Sequence, residues 1–514
     1  TGANNTAIGH SSLRNNTIGV NSTAVGFCAL NSNTTGTSNT ALGFCALRAN
    51  TVGYDNVSIG SLALSSSTTG TTNTAVGKSA LTNLTTGVSN VALGTCALRS
   101  NNGSNNTAVG FFAGLASSAN STVAVGWKTL YANQSNYLTA VGHAALRCNT
   151  TGTNSTAVGC YALRSNTVGN NSTAVGANAL RNNTTGDNNS ALGRNALQCN
   201  TTGNNNSALG YKALNLNTAS GNIAVGRSAL ENTTSGGCNT ALGWASLCSN
   251  TTGTRNTAVG YNSLMYNTSG IDNTAIGANA MRCNTTGVQN TALGRSALSS
   301  NTTGNYNVAM GRLALANITT PSKNIALGFS SGICLTSGAY NVVLGGATAN
   351  GFGTQSCNIF ISDGAGNIRM FATGSTGAVG INTTTPLHTL HVEGTTANSN
   401  TGYISTIFTS GSVIADATTN GTLFTIDTTT YESLAMEYTV FTPDKNNKRA
   451  GIFRSTWDED NTSIVYAEAS TTDIGDTSNF TLDAVNDGAG TVTVRASNNL
   501  GNQVTLIYER KLLG

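Results

Sequence analysis

The sequence predicts an all-β protein: a parallel β-solenoid (β-roll) shaft over residues 1–345, a transition hairpin and connector over 346–394, and an antiparallel β-sandwich or jelly-roll knob over 395–514. Three observations predict this. A small-then-aliphatic pair followed by glycine recurs 21 times from Gly9 to Gly345, at intervals of 16 or 17 residues. A repeat this short and regular is the signature of a solenoid with one coil per unit. Its aliphatic residues keep a fixed phase, which a disordered polar tract would not require. Past residue 395 the phase changes to eight short alternating stretches separated by turn residues such as Pro443–Asn447 and Asn486-Asp487-Gly488, the pattern of an antiparallel sandwich.

Within the shaft, positions are counted from the repeat glycine as zero. Position −1 is always aliphatic, and position −3 is Thr or Ser, or Val or Ile as at Val57, Val91 and Ile223. Residues two apart share a strand face, so the sequence predicts an inward −3/−1 face. Position −2 is nearly always Ala and is expected to face outward, against a partner chain. Position +4 is Leu in nearly every coil. Position +1 mixes Phe27, Phe44, Trp127, Trp244 and Tyr261 with Lys78, Arg194 and Arg227. A site that accepts both is not a dry core, so the chain turns there. A second glycine near +10 (Gly36, Gly70, Gly87), replaced once by Pro321, supplies a second turn. Each coil therefore reads strand, turn, short strand, turn. One such coil buries too little to offset the ordering of its backbone, so coils must stack. The core per chain is thin, and several chains are expected side by side. Three of the 16-residue intervals run consecutively from Gly94 to Gly142, which predicts an irregular or bent segment there.

Composition narrows the function classes. Charged residues are 9% of the chain, with Gly 60 and Pro 3. The net charge of +4 hides an asymmetry: residues 1–374 hold 17 Lys/Arg against 5 Asp/Glu, and residues 375–514 hold 7 against 15. That break marks a domain boundary near 374. The basic excess is spread too thinly for a nucleic-acid patch, so no nucleic acid partner is expected. No apolar run reaches the ~18 residues of a membrane span, so no membrane insertion is expected in this segment, and no signal peptide is visible. Thr1-Gly2 match the end of a repeat, so further chain is expected on the N-terminal side. The eleven cysteines recur at a few phases as small half-buried fillers. Cys28 and Cys45 share a phase on adjacent coils, which leaves a disulfide between them open.

The units NVALG (Asn90–Gly94) and NIALG (Asn324–Gly328) resemble the head repeats of trimeric autotransporter adhesins, which form left-handed parallel β-rolls packed as trimers. The longer unit, NNTAVG followed by xxAL and NTTG, looks more like repeats of phage tail fibres and related virion fibres. The stretch Asp363–Asn367, Val379-Gly380-Ile381, Thr383–Pro386 and Leu390-His391-Val392 resembles the hairpin and VGIGTTTP…LHV connector of such fibres. The resemblance covers about residues 1–394. It implies a homotrimer and attachment to a surface, with a receptor-contacting module at one end.

The search for chemistry yields little. His388 and His391, three apart in a strand, face opposite sides and cannot chelate one metal within a chain. Asp458-Glu459-Asp460 reads as a solvated acidic turn. His10 and His143 sit in ordinary repeat positions. No Ser-His-Asp or Cys-His constellation stands out, so no catalytic residue, metal or cofactor is predicted, and the protein is expected not to be an enzyme. The surface columns are the candidates for glycan contact: the +1 aromatics Phe27, Phe44, Trp127, Trp244 and Tyr261, the +5 arginines Arg48, Arg99, Arg147, Arg164 and Arg181, and Trp457 in the C-terminal module. Sequons such as Asn33-Thr34-Thr35 recur, but Asn and Thr also suit turns and ladders. The expectation is a non-enzymatic fibre of a virion or the extracellular space. It would bind a host-surface glycan or other receptor, with an N-terminal docking partner on a virion or cell surface. A cell-surface trimeric adhesin or extracellular filament is the alternative. An ice-binding filament would need a Thr-x-Thr face, whereas Thr-Thr pairs here are adjacent in sequence.

Overall fold

The computed structural model describes residues 2–392 apart from Ser117, Ala347, Gly364 and His388, and beyond them the backbone of eight strands between Thr406 and Leu513. Among the described residues there is no helix. Each coil supplies one three-residue strand, from β1 (Thr6–Ile8) to β21 (Val342–Leu344). Every strand pairs in parallel with that of the next coil, phase on phase. Thr156 lies opposite Thr173, Ala157 opposite Ala174 and Val158 opposite Val175. The repeat is thus a parallel β-solenoid, and each repeat position becomes a column running up the shaft. At ~4.8 Å per rung the 21 coils reach about 100 Å.

The two faces of the strand are the reverse of the sequence expectation. From Ala24 onward the −2 residues are buried, while Leu42, Leu192, Leu209 and Leu242 at −1 are 45–50% exposed. The reason is the narrowness of the coil. The returning chain packs Ala at +3 and Leu at +4 (Ala29, Leu30) directly against the back of the strand, both with no exposed surface. The gap is one leucine deep, so a small side chain fits at −2 and a larger one would overpack it; Val343 takes the place where Gly332 stands at +4 instead of Leu. Ser58 takes that place once and donates its hydroxyl to the Ala63 carbonyl at 2.8 Å.

The expected second short strand is absent. Residues +1 to +6 form turns instead, because +2 and +4 are left-handed, with φ of 53° at Cys28 and 50° at Leu30. This alternation aims successive N–H groups down and up the stack. Cys28 donates to the His10 carbonyl of the preceding coil (2.9 Å), and Leu30 to the Ala46 carbonyl of the next (3.0 Å). The turns therefore keep an inter-coil ladder without strand geometry. The repeat glycine is required twice over: Gly43 has φ 138°, and a Cβ there would sit 2.7 Å from the Gly60 carbonyl. The +10 glycine differs. Gly36 is not left-handed; a Cβ would instead strike the Gly53 carbonyl and the Asn33 side chain. Pro321 is tolerated at this phase where the +7 residue is Ile318 in place of Asn.

Two buried asparagine ladders close the ends of the coil. At −4, Asn56 donates through Nδ2 to Asn39 Oδ1 (3.0 Å) and to the Gly70 carbonyl (2.8 Å). At +7, Asn33 donates to Asn16 Oδ1 and Asn50 to Asn33 Oδ1, both at 2.8 Å. Buried amides need such partners, and stacking provides them where successive coils carry Asn; where Ser67 or Ile318 follows, Asn50 Oδ1 and Asn301 Oδ1 are left without one. The 16-residue coils lose their residue outside the strand. Asn101-Asn102-Gly103 replaces Asn-Thr-Thr-Gly, while β6 (Val91–Leu93) and β7 (Thr107–Val109) keep full register. The irregularity expected between Gly94 and Gly142 is confined to that turn.

After β21, strand β22 (Ile359–Ser362) adds one more parallel rung and then pairs antiparallel with β23 (Ile368–Ala372), which pairs with β24 (Val379–Ile381). Phe360 and Phe371 are buried under this hairpin with Phe352 against both. The chain divides into two units, Thr1–His391 and Val392–Gly514. In the second, β26 (Thr406–Ala415), β28 (Ser433–Phe441), β29 (Lys448–Trp457), β30 (Ile464–Ile474) and β33 (Val504–Leu513) form one antiparallel sheet. A second contains β27 (Gly421–Asp427), β31 (Phe480–Asn486) and β32 (Thr491–Asn498).

Candidate functional site

Because every repeat position becomes a column, side chains of one phase stand next to their counterparts a rung away. This decides what the +1 aromatics can do. Phe27 is stacked between His10 and Phe44 at centroid distances of 5.2 and 5.3 Å. Trp127 stacks on His143 at 4.5 Å, and Trp244 on Tyr261 at 4.9 Å. A sugar ring needs an aromatic face pointing out of the protein. Here each ring stacks on a neighbour along the shaft, which covers one face of Phe44, Trp127, Trp244 and Tyr261 and both faces of Phe27, and all five stay 39–52% exposed. The stacks reinforce the coil, and His10 and His143 belong to them.

The +5 arginines fall into two groups. Arg48 and Arg99 are isolated in their column and exposed. Arg147, Arg164 and Arg181 occupy three consecutive rungs and are half-buried. Their guanidinium groups rest on tyrosine rings: Arg147 over Tyr131 at 5.9 Å, Arg164 and Arg181 over Tyr161 at 5.3 and 5.5 Å. The sequence marked the arginines but not Tyr131 and Tyr161, because one lies in the +5 column and the other at +2. Only the folded coil brings those phases together. Trp457 ends β29, and its side chain lies outside the described residues.

The −1 column is the other outward feature, on the face where the sequence predicts the core. All 21 residues are aliphatic, from Ile8 to Leu344, and no −3 or −1 residue is charged. Midway along the shaft Val175, Leu192, Leu209 and Val225 line a shallow apolar depression of about 260 Å³.

The remaining candidates resolve plainly. Asn33, the acceptor of the Asn33-Thr34-Thr35 sequon, is buried in the +7 ladder, where a glycan cannot be attached to the folded coil. All eleven cysteines are free. Burial pushes the Cys45 thiol above its ordinary range, against the pull of the nearby Arg48 charge, and it hydrogen-bonds with Cys28. His391 accepts the Leu387 N–H at 3.4 Å through Nδ1, whereas His388 and Asp458–Asp460 lie outside the described residues. Among the described residues no three His, Cys, Asp or Glu side chains gather as a metal site would require. Among the described residues no helix is long and apolar enough to cross a membrane. Compared with known proteins, the chain matches no family model and no curated protein.

Proposed function

We propose that the protein is a non-enzymatic structural fibre whose shaft self-associates through its −3/−1 sheet face as a homotrimer, and that the fibre serves attachment to a surface. The observation that carries this is the unbroken apolar −1 column, exposed or half-buried and nowhere buried along the 21 rungs of a single chain. An apolar stripe of this length on a monomer is an aggregation hazard. Its area is on the order of 1,000 Å² per chain, enough for a stable interface. The occupant must match a stripe about 100 Å long with a ~4.8 Å period, and another copy of the same chain does so rung by rung. The number three comes from the resemblance to fibre and adhesin repeats; a threefold axis lets each −1 side chain meet its two copies at one height. A virion tail or surface fibre is the leading placement. An adhesin or extracellular filament would use the same shaft with a different anchor.

Multi-angle light scattering of the full chain tests the assembly. The wild type is expected to be a trimer, and Val175→Glu/Leu192→Glu/Leu209→Glu is expected to lose it. A wild type that is monomeric in dilute solution sinks the proposal. The Thr-Thr turn gives no flat hydroxyl array for ice, because its first Thr turns inward to the next coil, as Thr34 Oγ1 does to the Thr51 carbonyl at 3.0 Å.

A further inference from the structure

We infer that the arginine column Arg147–Arg164–Arg181 is a binding site for a linear acidic polysaccharide, gripped along the side of the shaft. The inference deepens the attachment reading by naming a ligand class and a place, and it does not require three chains.

The three side chains are alike in phase and stand on successive rungs, so their charges repeat every ~4.8 Å. Like charges at that spacing repel by about 1 kcal/mol per neighbouring pair even in water, and no ion pair among the described residues relieves it. The ion pairs among the described residues are Lys212–Glu231, Arg255–Asp272 and Arg369–Asp363; none involves this column. The Nε atoms of Arg164 and Arg181 are buried with no acceptor. Beside them Asn178 Oδ1 is also buried and unpartnered.

The column is also held in place. The Tyr161 ring centroid lies 5.3 Å from the Arg164 guanidinium and 5.5 Å from that of Arg181, and the Tyr131 ring lies 5.9 Å from that of Arg147. A ring against one side of each group leaves its terminal N–H edges to bind. Those edges match the paired oxygens of a carboxylate or sulfate. Side chains already fixed on rings lose less entropy on binding than free ones. Arg48 and Arg99 have neither a charged neighbour in the column nor such a ring.

The row of charges selects the ligand. A glycan with an anionic group on each sugar carries many carboxylates or sulfates along one chain, so it can engage arginines on more than one rung, which a single small anion cannot. Single-stranded nucleic acid would need free aromatic faces for its bases, and here both tyrosine rings are taken by arginine. A duplex would need an element able to enter a groove, and a flat solenoid side offers none.

The test measures binding of the full chain to heparin, polygalacturonate, neutral dextran and oligo-dT at low and high salt. Arg147→Gln/Arg164→Gln/Arg181→Gln is set against Arg14→Gln/Arg48→Gln/Arg99→Gln, which removes the same charge from exposed +5 positions with no arginine on the neighbouring rung. Light scattering of each variant runs alongside. The wild type is expected to bind an acidic glycan and not dextran, with affinity falling as salt rises. The column variant should lose at least about tenfold in affinity, and the control variant much less. Equal losses in the two variants, no binding by the wild type, or tighter binding of oligo-dT would each overturn the inference. So would a change of oligomeric state confined to the column variant, since the column would then be a contact between chains. A monomeric wild type that still binds through the column removes the trimer and leaves the site.

Discussion

At the scale of the residue, small differences in phase decide chemistry. The repeat glycine is fixed by its left-handed φ and by the carbonyl stacked against it, so Gly176→Ala should destabilise the shaft by about 3 kcal/mol, read as a shift in denaturation midpoint. The buried amide of Asn183 donates to Asn166 Oδ1 (2.8 Å) and accepts from Asn200 Nδ2 (2.9 Å). Asn183→Ala should cost about 1–3 kcal/mol, because neighbours on both rungs lose a buried partner. Past the shaft, hydrogen bonds from Asn367 and Arg369 hold the Asp363 carboxyl down to about 2. A folded-state value below the unfolded one means the contribution is present above the ordinary carboxylate range and is lost as pH falls from about 4 towards 2. A carboxyl NMR titration of Asp363 should show that midpoint, and Arg369→Gln should raise it.

At the scale of the element, a coil is a three-residue strand plus a set of turns, and the two parts tolerate change differently. The strand fixes register for every column, whereas the Asn-Thr-Thr-Gly turn already exists with one residue fewer, at Asn101–Gly103. Deleting Thr185 from a 17-residue coil should therefore leave a folded shaft with a slightly lower melting temperature. Deleting Ala174 from β11 (Thr173–Val175) should break the stack locally, because one lost residue exchanges the buried and exposed faces. Circular dichroism melts of the two variants separate these outcomes.

At the scale of the whole molecule, stability of the shaft is a sum over neighbouring coils. Removing one complete coil, residues 177–193, should shorten the stack and leave the flanking coils paired as before. The two proposed surfaces differ in physics and should part under salt. Assembly through the aliphatic −1 column should persist in 1 M NaCl, whereas polyanion binding at the arginine column should weaken steeply. Light scattering and a salt series of the binding assay read the two independently.

The sequence by itself determined the solenoid, its number of coils, its turn at +1 and the columns that run along it. All of these follow from period and phase, which are one-dimensional properties. It also marked Arg147, Arg164 and Arg181 as members of one column. Which face of the strand is the inside was beyond it: β-branched and aliphatic residues at −3 and −1 look like a core to any rule based on hydrophobicity. The tertiary structure placed Ala at −2 inside because the chain returns only one leucine away, and that width is a property of the closed coil. The same closure stacked the exposed +1 aromatics on their neighbours and brought Tyr161 beside two arginines from another phase. Periodicity fixes what repeats, and only closure of the coil decides what each repeated residue faces.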